Sequence, residues 1–411
     1  MTLLIRGPLA LTPNGKISRV NVLIEDDRIQ WISQDTPPGG SKRDQIIEGE
    51  GKLLLPGLIN AHIHTEETLW MNMIPDTIPH TPWFQDYTLP YYRALSEADA
   101  HASTLLSHAL MLLCGVACYS DSANLWPDAD ADAVARSGIR AYIGTWTSDL
   151  SGDFSKDTAK CLEEVENHIK KYAGSKMLRG VVSLIGSNTC SDALYLGAAR
   201  LAEHYAVPIT THEASGHEDV IRCLERTGRR PIEHLAKIGF LSRRTIISHA
   251  ADLESFEVGL LGSSGAGVSL CPTSELKKGK GLSKYGRLTE IVRSGVRYCV
   301  ATDNANSSNS LNPMRAAGLL ALLVKDLSLD PSTFTALDAL RSTTEYPADL
   351  LGLSAGRLVA GSLADVALYD SGFAYLRLGD PLQGLVYFDP PPVLDVVVGA
   401  NWLCPAAGLC V

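Results

Sequence analysis

Five residues of this chain have types and spacings that point to metal chemistry. His62 and His64 lie two apart in "NAHIH". In a strand, residues i and i+2 share a face, so both imidazoles can reach one ion. His212 closes the strand-like run "VPITTHE", His249 closes "TIISHA" and Asp303 closes "RYCVATD". Alone, each signal is weak: a single buried histidine is more often a satisfied core residue, and a single aspartate a cap or turn residue. Together, each at a strand end, they form a set suited to a divalent cation, because imidazole and carboxylate are ligands for zinc and related ions. Such an ion brings the pKa of water toward neutrality and so supplies hydroxide for hydrolysis.

The elements that must position these groups are legible as alternation. From about residue 56 to 357, the strand-like runs "LINAHIH", "VACYSD", "RAYIGTW", "RGVVSLIG", "VPITTHE", "TIISHA", "GVSLCP" and "RYCVATD" are separated by helical patterns such as "DTAKCLEEVENHIKKYAG". Strands alternating with helices in this number predict an α/β fold, a (β/α)8 TIM barrel, whose active sites gather at the carboxyl ends of the strands. All five candidate residues fall there. Residues 1–55 and 358–411 are instead rich in short β-runs and turn residues. Neither end has enough strands for a core of its own, so the two are expected to join in one composite β-sandwich domain beside the 56–357 catalytic barrel.

Composition narrows the function. The chain has 411 residues, 45% hydrophobic, with a net charge of −10 and no lysine and arginine block. This argues against nucleic acid or anionic membrane as the main partner. Nine cysteines are scattered without CxxC pairs, the pattern of reduced, buried thiols. The amino terminus lacks a signal-peptide pattern and no apolar run reaches a membrane span, so the expectation is a soluble, cytoplasmic protein. There is no glycine-rich nucleotide loop and no serine-nucleophile elbow.

Several stretches carry a resemblance that covers nearly the whole chain: "LLLPGLINAHIH", "TTHEA", "RPIEHLAKIGFL", "IISHAADL", "SLCPTSELKKGKG", "ATDNANSSNSLN" and "AGRLVAGSLADVALYD". The sequence resembles the amidohydrolase superfamily, and within it the aminohydrolase and chlorohydrolase branch of S-adenosylhomocysteine and guanine deaminases and triazine hydrolases. The resemblance implies that His62, His64, His212 and Asp303 bind one divalent metal, usually Zn2+ or Fe2+. It implies that His249 contacts the attacking water and the substrate, with Asp303 taking the water's proton. Binuclear members use a carboxylated lysine at the end of the fourth strand. "RGVVSLIGSNTCSD" has no lysine, so the expected site is mononuclear. A homo-oligomer, a dimer, is also implied.

Two departures stand out. Deaminases of this branch have a glutamate three residues after the third metal histidine, where this chain has Ser215; a serine hydroxyl is a poor general acid at neutral pH. They often carry a histidine before "TCSD", and the run here is "LIGSNTCSD", with Gly186 near that position. Among residues that could compensate, Glu66 is preferred over Glu67, both in the loop after the HxH strand. Strand alternation turns Glu213 away, and His217 and Glu218 follow Ser215 in the next loop. Trp83, Phe84 and Tyr87 lie in a lid-like stretch, residues 78–93. The expected substrate contacts are His249, Trp83, Gly186, Ser215 and His217. Ser274 and Lys277 are further candidates at the barrel mouth, and His234 is read as structural.

The function expected from these residues and the resemblance is metal-dependent hydrolysis of a C–N bond in a small molecule. Most directly this is deamination of a nitrogen heterocycle or of an amidine-like or guanidine-like compound. The alternatives are hydrolysis of a cyclic amide, carbamate, urea-like or halide-bearing substrate, or, in a different class, a metal-binding lyase, isomerase or non-catalytic homologue.

Overall fold

The computed structural model describes residues 2–12, 15–37, 44–150, 152–388, 391–399 and 401–403. Eight parallel strands form one sheet in sequential order: β1 (Leu58–Ile63), β2 (Val116–Asn124), β3 (Arg140–Thr145), β4 (Leu178–Gly186), β5 (Ile209–Glu213), β6 (Thr245–His249), β7 (Gly267–Leu270) and β8 (Arg297–Val300). They are the eight runs expected, and they are almost wholly buried, as strands covered on both faces must be. The sheet curls until its last segment meets its first. The Asp303 amide donates to the His62 carbonyl at 3.1 Å, and Asn60 exchanges bonds with Thr302 at 2.7 and 3.0 Å.

Register brings the functional ends level. Gly186 pairs with His212 across β4 and β5, and Glu213 with His249 across β5 and β6. At the other end of the barrel, apolar residues near the strand starts, among them Ile59, Cys118, Val181 and Ile246, pack against Leu350 and Leu351 of the helix Glu345–Leu351. The barrel is therefore plugged with hydrocarbon at its base, and its polar chemistry is confined to the mouth.

The chain ends build two further sheets. One has four strands, all from the amino-terminal segment, Thr2–Arg6, Asn21–Glu25, Arg28–Ser33 and Gln45–Glu48. The other has six and mixes both ends: Lys52–Pro56 pairs antiparallel with Val366–Asp370, with Leu54 opposite Leu368. A buried cluster containing Leu3, Val22, Ile29, Leu54, Val366 and Val397 draws on strands of both sheets. Arg140 at the start of β3 ties this region to the barrel through a buried bidentate pair with Asp365, at 2.7 and 3.0 Å. No described helix is long and apolar enough to cross a membrane.

Candidate metal centre and active site

His62 sits at the end of β1 and His64 just beyond it, His212 near the end of β5, His249 at the end of β6, and Asp303 just beyond β8. Their reactive atoms converge. His62 Nε2 and His64 Nε2 each lie 3.7 Å from Asp303 Oδ1. His212 Nε2 lies 3.2 Å from His64 Nε2. A nitrogen of His249 lies within 4.8 Å of nitrogens of His62 and His212.

The outer nitrogens reveal what belongs at the centre. His64 Nδ1 donates to the Ser122 carbonyl at 2.8 Å, and His212 Nδ1 to the Ile185 carbonyl at 2.9 Å. A carbonyl only accepts, so in the neutral rings both Nδ1 atoms hold the proton and both Nε2 atoms present lone pairs. Two lone pairs facing each other at 3.2 Å repel unless a cation lies between them. His62 Nε2 is buried without a hydrogen-bond partner among the described residues, while its Nδ1 lies 2.9 Å from the Ser248 hydroxyl. Such backing of a ligand's second nitrogen is how proteins orient metal-binding imidazoles. Three imidazoles and one carboxylate thus fit a single divalent ion.

Electrostatics agree. Burial first, then the neighbouring His212 and His64, holds His62 well below the usual imidazole range. Burial, followed by His64, brings His212 down to about 3. Both are neutral at physiological pH, as ligands must be. Burial alone would raise Asp303, but His249, His62, His64 and Lys280 around it outweigh that and hold its carboxyl well below the usual range. Its Oδ2 accepts from the Ser274 hydroxyl at 2.6 Å and from Ser307 at 3.2 Å, which leaves Oδ1 turned to the imidazoles.

The strand ends are strained. His249 (φ 79°), Asp303 (φ 62°), Ala214 (φ 49°) and Ala250 (φ 53°) all adopt the left-handed conformation. Each costs on the order of 1–3 kcal/mol in a residue with a Cβ. The strain aims His249 and Asp303 at the centre, where regular strand geometry would not. His249 is fixed further by Glu275 in the helix Pro272–Lys277, whose Oε1 lies 2.9 Å from His249 Nδ1.

Above this cluster opens a cavity of about 810 Å³, within the range of small-molecule sites. Trp83, Gly186, Ser215 and His249 line it together with His64, His212 and Asp303. Tyr92, Trp146 and Phe154 form an aromatic box in the same wall, with Trp146 ring centres 5.2 Å from each of the other two. Gly186 has a steric reason for lacking a side chain: at its φ of +150°, a Cβ would sit 2.5 Å from the His212 carbonyl oxygen.

Two expected residues are not brought to the site. Glu66 is a correction: its carboxylate accepts from the backbone amides of Trp126 at 2.6 Å and Leu125 at 3.0 Å, so it anchors the loop after β2 and does not line the cavity. The segment after β1 is a 3-10 turn, Thr65–Trp70, in which successive side chains diverge. Glu67, not Glu66, therefore faces the mouth. His217 is the second correction. It is 59% exposed, pairs with Asp252 at 2.8 Å and stacks on Tyr285, outside the cavity wall. Tyr87 and Lys277 also stay off the wall, whereas Ser274 contacts Asp303 and His234 is held by Asp192 at 2.8 Å.

Other wall residues escaped the sequence reading. Glu67 accepts from Tyr92 at 2.7 Å and from Asn304 and Asn306 at 2.7 and 2.8 Å, and burial raises its pKa. Asp219, in the first turn of the helix His217–Thr227, accepts the Ser215 amide at 3.1 Å. Lys280, from the "KKGKG" loop, is 8% exposed and lines the inner cavity. The signal for Asp219 was its place four residues after Ser215; the loop position of Lys280 gave none.

Comparison with known proteins places the chain. Residues 53–403 match the profile described as Amidohydrolase family. The 5'-deoxyadenosine deaminase of Methanothermobacter thermautotrophicus is 33% identical over 97% of this chain and 91% of its own length. The 5-methylthioadenosine/S-adenosylhomocysteine deaminase of Thermococcus onnurineus is 30% identical over 94% and 90%. Among solved structures, a zinc-bound adenosine deaminase from Xanthomonas campestris superposes with a TM-score of 0.89 at 22% identity, covering 97% of this chain and 92% of that one.

Proposed function

The chain belongs to the amidohydrolase family, and from that premise we propose that it is a mononuclear zinc-dependent deaminase of an amino-bearing nitrogen heterocycle. The observation that carries this reading is the convergence of His62, His64 and His212 on Asp303 Oδ1, with lone pairs turned toward one point and His249 beside it. The relatives named above are deaminases of adenosine derivatives, which supports the choice of C–N bond. The zinc-bound deaminase of the same fold supports zinc over iron.

His62, His64, His212 and Asp303 would hold the ion, which when bound activates water for attack at neutral pH. The residues then divide the remaining work. Asp303, held ionised in this setting, is the carboxylate placed to receive the water's proton. His249, aligned by Glu275, faces the substituent on the reacting carbon and stabilises charge developing there. Glu67 takes over the acid's part that Ser215 cannot play. Burial lifts its pKa toward the protonated form, and it lies on the cavity wall beside Asn304. Trp83 and the aromatic box give a planar ring a face to stack on and exclude water.

The test is ammonia release from a panel of aminopurines, aminopyrimidines, pterins, triazines and guanidines. It uses zinc-loaded protein, chelated protein and Asp303→Ala. Metal-dependent ammonia that disappears in Asp303→Ala is expected. No ammonia from any compound with zinc bound would refute the deaminase assignment. We also infer a cytoplasmic homodimer acting on a small molecule, with no nucleic acid or membrane partner. The described cysteines are all free, and Leu319, Leu322 and Leu329 leave an apolar surface on and just after the helix Pro313–Ser328. Light scattering checks the dimer.

A further inference from the structure

The position left without an acid at Ser215 is approached by a cation. Lys280 follows the helix Pro272–Lys277, and its amide is tied to the Glu275 carbonyl at 2.9 Å, next to the residue that aligns His249. Its stem runs against the turn after Ser215: a Cβ built on Gly216 would lie 3.4 Å from Lys280 Cβ and 3.6 Å from Lys280 Cγ. The stem therefore packs directly beside the Gly216 backbone. The Lys280 side chain lines the same inner wall as Ser215, His212, His249 and Asp303. Its charge is felt at His249, where it ranks directly after burial, and also at His62, His212 and Asp303.

This ammonium has no salt-bridge carboxylate among the described residues. The acids around it are already engaged. Asp219 accepts from the Ser215 amide at 3.1 Å and from Asn188 at 2.6 Å, Glu275 lies 2.9 Å from His249, and Asp303 takes Ser274 at 2.6 Å. Lys278, two residues earlier in the loop, is engaged elsewhere: it sits 4.3 Å above the Trp83 ring. The ammonium is open to the cavity with no carboxylate beside it, so a ligand that brings the opposite charge into the cavity gains a charge-assisted hydrogen bond.

We propose that Lys280 contacts the substrate directly and that the substrate is an amino-heterocycle carrying an anionic group, a carboxylate or its equivalent, beside the carbon that loses the amine. This rests on the deaminase reading for the reaction and adds the substrate's charge. It separates this chain's pocket from one built for a neutral base. The anionic group would take the ammonium's hydrogen bonds while the ring lies along the Trp83 wall. The arrangement follows from two placements: the lysine at the inner wall with its stem beside Gly216, and the serine that leaves the same corner without a competing carboxylate.

The experiment uses the zinc-loaded protein and two probes of the same shape, 4-aminopyrimidine-5-carboxylate and 4-aminopyrimidine-5-carboxamide. Dissociation constants are measured by calorimetry for the parent protein, Lys280→Met and Lys280→Arg, with zinc content and melting temperature recorded for each. The parent is expected to bind the carboxylate about tenfold or more tighter than the carboxamide, the gain of a charge-assisted hydrogen bond. Lys280→Met should lose that preference while keeping its zinc, and Lys280→Arg should keep part of it. The same preference should persist in chelated protein. No measurable binding of the carboxylate, equal affinities in the parent, or a preference that survives Lys280→Met would overturn the proposal. A preference seen only with zinc would do the same, since the ion would then be the anion's receptor. A Lys280-dependent preference with no ammonia released would leave this assignment standing and remove the deamination. Ammonia release with no Lys280 dependence would do the reverse.

Discussion

Replacing Gly186 with alanine tests whether the strand-end backbone, not only the side chains, builds the metal centre. The new Cβ would meet the His212 carbonyl oxygen at 2.5 Å, at a φ of +150° that residues with a Cβ rarely adopt. Two costs add: about 1–3 kcal/mol for the backbone conformation and about 1–3 kcal/mol for overpacking. The cheapest relief is to push the His212 backbone away, because Gly186 and His212 are register partners on adjacent strands. That movement also shifts Ile185, whose carbonyl holds His212 Nδ1 at 2.9 Å. Disturbing such backing of a ligand typically costs about 10–100-fold in metal affinity. The assay is zinc competition against a chromophoric chelator, with Gly174→Ala as control, since a Cβ there meets nothing within 4 Å. Gly186→Ala should weaken zinc binding by about 10–100-fold and lower the melting temperature, while Gly174→Ala changes neither. Parental zinc affinity in Gly186→Ala would refute the argument that the register between β4 and β5 sets the ligand.

Two further predictions concern a positioning residue and a buried histidine. Glu275→Leu should lower kcat by about 10–100-fold with KM and zinc content little changed, and Glu275→Gln should restore part of the loss, because Glu275 acts by aligning His249; an unchanged kcat would remove that role. His108 is buried against the Tyr119 and Ser137 hydroxyls, each at 2.9 Å, and burial depresses its pKa to about 3. The folded protein thus keeps His108 neutral where the unfolded chain takes up a proton, so its contribution to stability is present above about pH 6.5 and is lost as pH falls toward 3. Between pH 7 and 5 the parent should lose about 2 kcal/mol more than His108→Gln in denaturant unfolding, and parallel curves for the two would contradict the assignment.

The sequence announced what depends on periodicity and concealed what depends on turns. The strands could be read because β-rich runs alternate with helical ones, and His62 and His64 because two residues apart in a strand means one face. The divergence of Glu66 and Glu67 could not be read, since it follows from a 3-10 turn beginning right after the strand. His217 looked close to the centre by number. The helix begins at His217 itself, however, and its ring falls on the outer side against Asp252 and Tyr285. Lys280 reaches the mouth, and Glu275 reaches His249 behind it, through a short helix and loop whose path no hydrophobic pattern encodes. The left-handed backbone at His249 and Asp303 is likewise set by the packing of the whole barrel, not by their neighbours in sequence.

The six-stranded sheet imposes an order on synthesis. The strand Lys52–Pro56 has one neighbour close behind it in the chain, Leu9–Leu11, but its other edge waits for Val366–Asp370. That partner leaves the ribosome roughly 310 residues later, a delay of about 15–60 s at ordinary elongation rates. Through that interval an apolar edge with free peptide groups is available to any passing strand. The barrel strands lie between the two in the chain and are made first, so the two chain ends can pair only after the barrel segment has been synthesised. Slowing translation shortly before residue 366 should therefore raise aggregation of the nascent chain, by a route unconnected with the metal site.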